Sequence, residues 1–228
     1  MAAALSRRLF GCAFGSWGVG WLCPLLCLGL GLVFTCITCY NQGVALVVFM
    51  FDSLFAEVVS VGFSGSRSPS PAALAALAAL LPSVPSDVRV SVGCAHGVDA
   101  AVRSAFARRP SLLIFSVASG RFGSGRSAFA RRSSRCVRSV AAGSRGLLVA
   151  LPSAPAPPAG VRPCRFWRSA GSSGTWGSVA FALGRGRRVL LWLPSGCRPP
   201  SWAGVSWSSL GGWWLGVPAP VPAQLSLF

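Results

Sequence analysis

Between positions 55 and 194, short apolar runs alternate with helix-forming stretches, and this alternation constrains the fold more than any other feature of the sequence. A strand buried on both faces reads as a continuous apolar run, because helices cover it from either side. Five such runs occur: Phe55–Phe63 (FAEVVSVGF), Val88–Val92, Leu112–Val117 (LLIFSV), Gly146–Leu151 (GLLVAL) and Val189–Leu193 (VLLWL). Helices are expected between them, over Ala72–Leu81, Val98–Arg109, Ser127–Ala142 and Ser173–Leu183. The first is rich in Ala and Leu and has Pro69 or Pro71 to start it; the second is stopped by Pro110. The pattern predicts an α/β, Rossmann-like three-layer sandwich with a mostly parallel sheet of about five strands. Crossovers in such a sheet are right-handed, and ligands bind beyond the carboxyl ends of the strands.

The flanks differ from this core, giving three expected regions: an apolar extension over 1–49, the α/β domain over 50–194 and a tail over 195–228. Residues 9–51 carry no charged side chain, and Leu22–Tyr40 is long and apolar enough for a bilayer span. Three readings stand for it: an over-extended start with Met50 as the initiator, a membrane anchor, or a signal-peptide core after Arg7 and Arg8. The tail holds Trp202, Trp207, Trp213 and Trp214 among Pro, Gly and Ser. Such Trp side chains either pack across the domain or a partner subunit, or stack on bases.

Charge narrows the chemistry. All 21 cationic residues are Arg, against four acids (Asp52, Glu57, Asp87, Asp99) and one His, His96, so the formal charge is +17. A carboxylate-pair hydrolase would have to draw on those acids. A His-rich metal site is excluded, and a Ser-His-Asp triad would have to use His96. The positive field favours phosphate, nucleic acid or an anionic membrane, although an Arg-only cation set also reflects coding bias. Beyond Met50, Cys94, Cys136, Cys164 and Cys197 are far apart, which supports neither a zinc nor a redox motif.

Three glycine-rich loops follow expected strands. In the first, Gly65, Ser66 and Arg67 offer close backbone approach, hydroxyl donors and a guanidinium for a phosphate; a tight strand-to-helix turn is the plain alternative. In the second, Gly93, Gly97 and Asp99 lead into a helix, with His96 beside them. Asp99 falls in the first helical turn, where a carboxylate also serves as a local cap. The third places Ser172, Ser173, Gly174 and Thr175 at the start of the last helix, as a phosphate cradle. Between the second and third, Arg131, Arg135 and Arg138 share a helix face and Arg132 adjoins them. They form either a ligand-facing basic stripe or a solvated face.

The ordered set GFSGSR, VSVGCAHGVDAAVRSAF, ARRSSRCVRSV, GLLVAL and SAGSSGTWGSVAFALGRGRRVLLWLP resembles the SLOG superfamily. That superfamily includes the DprA/Smf DNA-processing proteins and the "lonely guy" (LOG) nucleotide phosphoribohydrolases. The resemblance implies a Rossmannoid fold that binds a nucleotide or single-stranded DNA. It implies sites at Gly65, Ser66 and Arg67, at Gly93, Gly97 and Asp99, and at Ser173, Gly174 and Thr175. The LOG hydrolases carry P-G-G-x-G-T-x-x-E, whereas Gly171–Ser178 reads G-S-S-G-T-W-G-S, with Ser178 where the catalytic Glu belongs. A hydroxyl is no carboxylate base at neutral pH. The expectation is therefore non-catalytic binding, with no cofactor apart from a nucleotide ligand, a homodimer compatible with it, and a cytoplasmic location. The alternatives are a nucleotide-processing enzyme using Asp99 or His96, and an interaction protein anchored in a membrane through residues 22–40.

Overall fold

The computed structural model describes residues 51, 53–167 and 174–220. The strands are β1 (Ser60–Gly65), β2 (Arg89–Gly93), β3 (Leu112–Phe115), β4 (Gly143–Leu151), β5 (Arg187–Trp192), β6 (Val205–Leu210) and β7 (Trp213–Pro218). The helices are α1 (Pro71–Leu80), α2 (Val98–Ala105), α3 (Gly125–Arg138) and α4 (Gly174–Gly184). One sheet runs in the order β3-β2-β1-β4-β5-β7-β6. Its first five members are parallel, and β7 and β6 run antiparallel to their neighbours. The chain moves outward from β1 to β3, then returns to the other side of β1 with β4. Such a reversal opens a crevice at the carboxyl ends of β1 and β4 and is compatible with a Rossmann-like fold.

Strand alternation divides the core into two layers. Val61, Phe63, Val90, Val92, Leu147 and Val149 face the layer of α1 and α2, where Leu77, Leu80, Val98 and Val102 meet them. Leu148, Ala150, Val189 and Leu191 face the other side, against Val137 and the α4 residues Trp176, Val179 and Phe181. Burying one such Val, Leu or Phe is worth about 1.5–3 kcal/mol. α1 starts as its sequence dictates: Pro71 occupies the first turn and the Ser70 hydroxyl accepts from the Ala73 N–H at 3.2 Å.

Several boundaries move. β1 begins at Ser60, not at Phe55; Leu54 and Phe55 belong to a helical stretch buried in the core. α2 ends at Ala105, four residues before Arg109. The Arg109 guanidinium turns away to donate to the carbonyls of Val84 and Pro85, each at 2.8 Å, over the ring of Phe106.

The expected five strands become seven, because the Trp-rich tail supplies a hairpin. Gly211 (φ 55°) and Gly212 (φ 84°) form its two-residue loop, and Leu210 pairs with Trp213 across it. Two successive positive φ values suit the turn type whose twist matches paired strands. β7 then adds to β5, and Trp213 is buried edge-on to Phe51 with ring centroids 6.5 Å apart. Trp202 closes edge-on against Trp176 at 6.0 Å. No helix among the described residues is long and apolar enough to cross a membrane, and the span considered at Leu22–Tyr40 lies outside them.

Candidate functional site

The loop after β1 is tied down on two sides. The Ser66 N–H donates to the Leu151 carbonyl of β4 at 2.8 Å, and the Ser66 carbonyl accepts from the Val98 N–H at 3.1 Å. The start of α2 is thereby held against the end of β1. The contact requires Gly97, whose φ is 68° and whose Cβ, if present, would strike the carbonyls of Ser66 and Arg67. The Ser66 hydroxyl accepts from the Ser68 N–H at 3.0 Å, which tightens the turn.

Asp99 stands in the first turn of α2 and is buried. One carboxylate oxygen accepts from the Ala95 N–H at 3.2 Å and pairs with the Arg132 guanidinium of α3 at 3.4 Å. Burial pushes the Asp99 carboxyl above its ordinary value, against the opposing pull of Arg132, the Ala95 N–H, Arg103 and Arg67. The pair lies directly over Gly93, where an added methyl would meet both the carboxylate and the guanidinium. Arg132 also donates to the Ser133 hydroxyl at 3.1 Å and approaches the Cys94 sulfur at 3.7 Å; its Nε has no partner among the described residues. Arg103 wraps the same loop, donating to the carbonyls of Gly93 at 2.7 Å and Ala95 at 3.0 Å.

The structure therefore gathers Gly65, Ser66, Arg67, Gly93, Gly97, Asp99 and Arg132 at the carboxyl ends of β1 and β2. It also fills the crevice beneath them. The cavity bounded by Phe63, Gly93, Asp99, Arg132, Cys136 and Ser178 measures about 10 Å³, room for a single water. A ligand larger than a water does not fit this cavity. On the same loop the exposed Arg67 guanidinium lies 5.3 Å from the ring centroid of Phe129, a residue 43% exposed. His96 is exposed beside the loop.

Other expected members go elsewhere. Thr175 is buried within α4, and Ser172 and Ser173 lie outside the described residues. Ser178 is buried, and its hydroxyl donates to the Gly174 carbonyl of the preceding turn at 3.0 Å. Arg131 points away from Asp99: its Nε donates to the Phe122 carbonyl at 2.7 Å, and it lines a separate groove along β3 with Arg135 and Arg138. Neighbouring helix positions differ by about 100°, so Arg131 and Arg132 cannot serve one site.

Three contributors escape sequence reading: Phe129, Arg103 and Cys94. Phe129 lies three residues before Arg132, on one helix face, a spacing visible in the sequence. Arg103 follows Asp99 by four residues, equally visible. Cys94 offers no such signal, because its donors come from distant segments. Burial acts to raise its thiol, but the Val117 N–H at 3.5 Å together with Arg132 and Ser116 outweighs it, and the thiol sits below its ordinary value.

Chemically, the site presents guanidinium groups and an aromatic face, and its one carboxylate is already neutralised. Among the described residues no three His, Cys, Asp or Glu side chains gather where they could hold a metal ion. Fold and site together define an α/β domain with a mostly parallel sheet and a cationic rim at its switch point. No family model, no curated protein and no solved structure matches the chain.

Proposed function

We propose that this SLOG-like domain is a non-catalytic binding module for a nucleotide, free or as one unit of single-stranded DNA, held at the rim formed by Arg67 and Phe129. The observation that carries the reading is their stacking, 5.3 Å from guanidinium to ring centroid, with both residues exposed. A nucleotide needs a cation for its phosphate and a flat apolar face for its base, and these two side chains supply one of each. The absence of catalysis is supported by Asp99, whose carboxylate is engaged by Arg132, and by Ser178, whose hydroxyl is buried against its own helix.

The test is fluorescence anisotropy of the full chain with labelled AMP and labelled oligo-dT at low salt. Phe129→Ala removes a stacking partner worth about 1–3 kcal/mol, so affinity falls by about 5- to 150-fold. Arg67→Ala weakens both probes. A single strand gives a salt slope that grows with the number of phosphates contacted, whereas AMP gives a shallow one. No binding of either probe, or binding indifferent to both substitutions, overturns the reading.

A further inference from the structure

A second surface stands apart from this rim and does not depend on that reading. β3 ends the sheet, paired with β2 on one side only. Along its open side runs a groove of about 710 Å³, walled by α3 and by the segment that precedes it. Leu113 and Ile114 are 40% and 51% exposed on the strand, and Arg121, Arg131, Arg135 and Arg138 rim the groove.

The backbone of this edge is oriented for pairing. The Ser111 carbonyl accepts from the Val90 N–H of β2 at 3.0 Å. Main-chain groups alternate sides along a strand, so Leu113 also faces β2, and the N–H and C=O of Ile114 face the groove. Natural edge strands are usually blunted by shortness, charge, Pro or a bulge. β3 is short, at four residues, but it reads Leu-Leu-Ile-Phe with no charge and no Pro, and its register with β2 is unbroken.

The charge of the groove selects its occupant. The one ion pair among the described residues is Arg132–Asp99, so the four groove guanidinium groups face no carboxylate. Arg121 and Arg135 make no hydrogen bond among the described residues either. The chain itself supplies little to match them: it has four acids against 21 Arg, and residues 9–51 carry no charge at all. A second copy or the chain's own apolar extension would leave the cations unpaired. A nucleic acid would satisfy the Arg but has no use for an amide and a carbonyl presented at strand spacing.

We propose that the open edge of β3 is a docking site for an acidic segment of another protein, bound as an added strand in which carboxylate and apolar side chains alternate. Main-chain pairing at Ile114 supplies affinity. Ile114 shares the face of Val92 and is covered by the apolar side chains, while on the opposite face, that of Leu113 and α3, the carboxylates meet Arg121, Arg131 and Arg135.

The test uses the full chain and a fluorescein-labelled octapeptide of alternating Glu and Val, with a Lys–Val octapeptide and labelled oligo-dT as competing classes. The Glu–Val peptide is expected to bind, the Lys–Val peptide to fail, and the Ile114 amide to become protected from hydrogen exchange on binding. Arg121→Glu/Arg135→Glu is expected to weaken the peptide by about tenfold or more. The charge-matched control Arg108→Glu/Arg162→Glu, outside the groove, is expected to change it by less than about threefold. Ile114→Pro removes the outward N–H without adding charge; Pro is tolerated on an edge strand whose N–H faces outward, and this variant is also expected to lose the peptide. Equal weakening by the groove and control variants means bulk attraction and overturns the proposal. So does binding without protection of Ile114, or a groove that takes oligo-dT and not the Glu–Val peptide. Because the rim variants Arg67→Ala and Phe129→Ala leave the groove intact, failure of the nucleotide reading and failure of this one are separable.

Discussion

Asp99 and Arg132 meet at 3.4 Å with side chains 5% and 11% exposed, so removing either one tests how the site is held together. At an effective dielectric of about 20, charges at that separation attract by about 5 kcal/mol. At Asp99 desolvation outweighs this attraction, as the upward displacement of its carboxyl shows. The intact pair is thus of small net worth to stability, yet a broken pair strands a buried guanidinium. Asp99→Ala is expected to lower unfolding free energy by about 3–5 kcal/mol, reduced to the extent that Arg132 swings out to water. Arg132→Met is milder, at about 1–3 kcal/mol, since the abandoned carboxyl takes up a proton instead.

The assay is urea unfolding followed by fluorescence of the nine Trp side chains, for wild type, both single variants and the double variant. A coupling energy of about 2–3 kcal/mol is expected, because the double variant leaves no stranded charge. Additivity within about 0.5 kcal/mol would refute the pairing. The sign of the pH dependence gives a second check. Asp99 has a folded-state value above its unfolded one, so its contribution is complete below about pH 4 and is lost as pH rises through the folded value. Asp99→Asn, neutral throughout, therefore gains on wild type as pH rises across that window and forfeits the gain on acidification.

Three further outcomes follow from the same contacts. Gly97→Ala forces a side chain into a backbone region only Gly occupies freely and against two carbonyls; a loss of about 3 kcal/mol or more in urea unfolding is expected, and a loss below about 1 kcal/mol would contradict the packing of α2 on β1. Among the described cysteines, alkylation mapped by mass spectrometry should modify Cys94 first, with a pH midpoint below that of an ordinary thiol. Cys136, pushed up by burial to about 12, should react only on unfolding, and equal rates at both would sink the assignment. Trp213→Ala is expected to lose about 3–5 kcal/mol in thermal or urea unfolding, because a 3% exposed ring anchors β7 to Phe51; a loss under about 1 kcal/mol would mean that the hairpin merely drapes over the sheet.

The parallel half of the fold is legible because its central strands bury both faces and its edge strand β3, though half-exposed, is equally apolar in sequence. LLVAL and VLLW leave no polar position to confuse with a helix, and Gly93, Gly97 and Pro71 mark the turns. The antiparallel half escapes for the opposite reason. VSWSSL has Ser at three of six positions and sits among Pro and Gly, which reads as a loop unless Gly211-Gly212 is taken as a two-residue hairpin turn. At the site, the loops after β1 and β2 are found where the spacing puts them. The division of labour between Arg131 and Arg132 is not, since it depends on how α3 is rotated against the sheet. That rotation is fixed by Val137 and Cys136 packing inward, and no local pattern displays it.

The excess of Arg over acids, which suggests a uniformly cationic surface, is settled in part by main-chain carbonyls. Arg187 donates to Val140 at 2.7 Å, Arg185 at 3.2 Å and Arg138 at 3.3 Å, closing the end of α3 with one guanidinium. Arg89 donates to Ser139, Arg103 to Gly93 and Ala95, and Arg109 to Val84 and Pro85. A planar fork with several fixed donors can bridge two or three carbonyls, and a Lys ammonium on a flexible stem does so poorly. Arg at these positions is thus a structural requirement, whatever coding bias supplied it. The same accounting leaves Arg67 at the rim only stacked on a ring and leaves Arg121 and Arg135 in the β3 groove with no acceptor among the described residues, as it does Arg108, Arg138, Arg145, Arg162, Arg165 and Arg198. Anion binding at the rim and in the groove should therefore follow Arg67, Arg121 and Arg135 and be indifferent to Arg89, Arg109 and Arg187, although net charge counts all six alike.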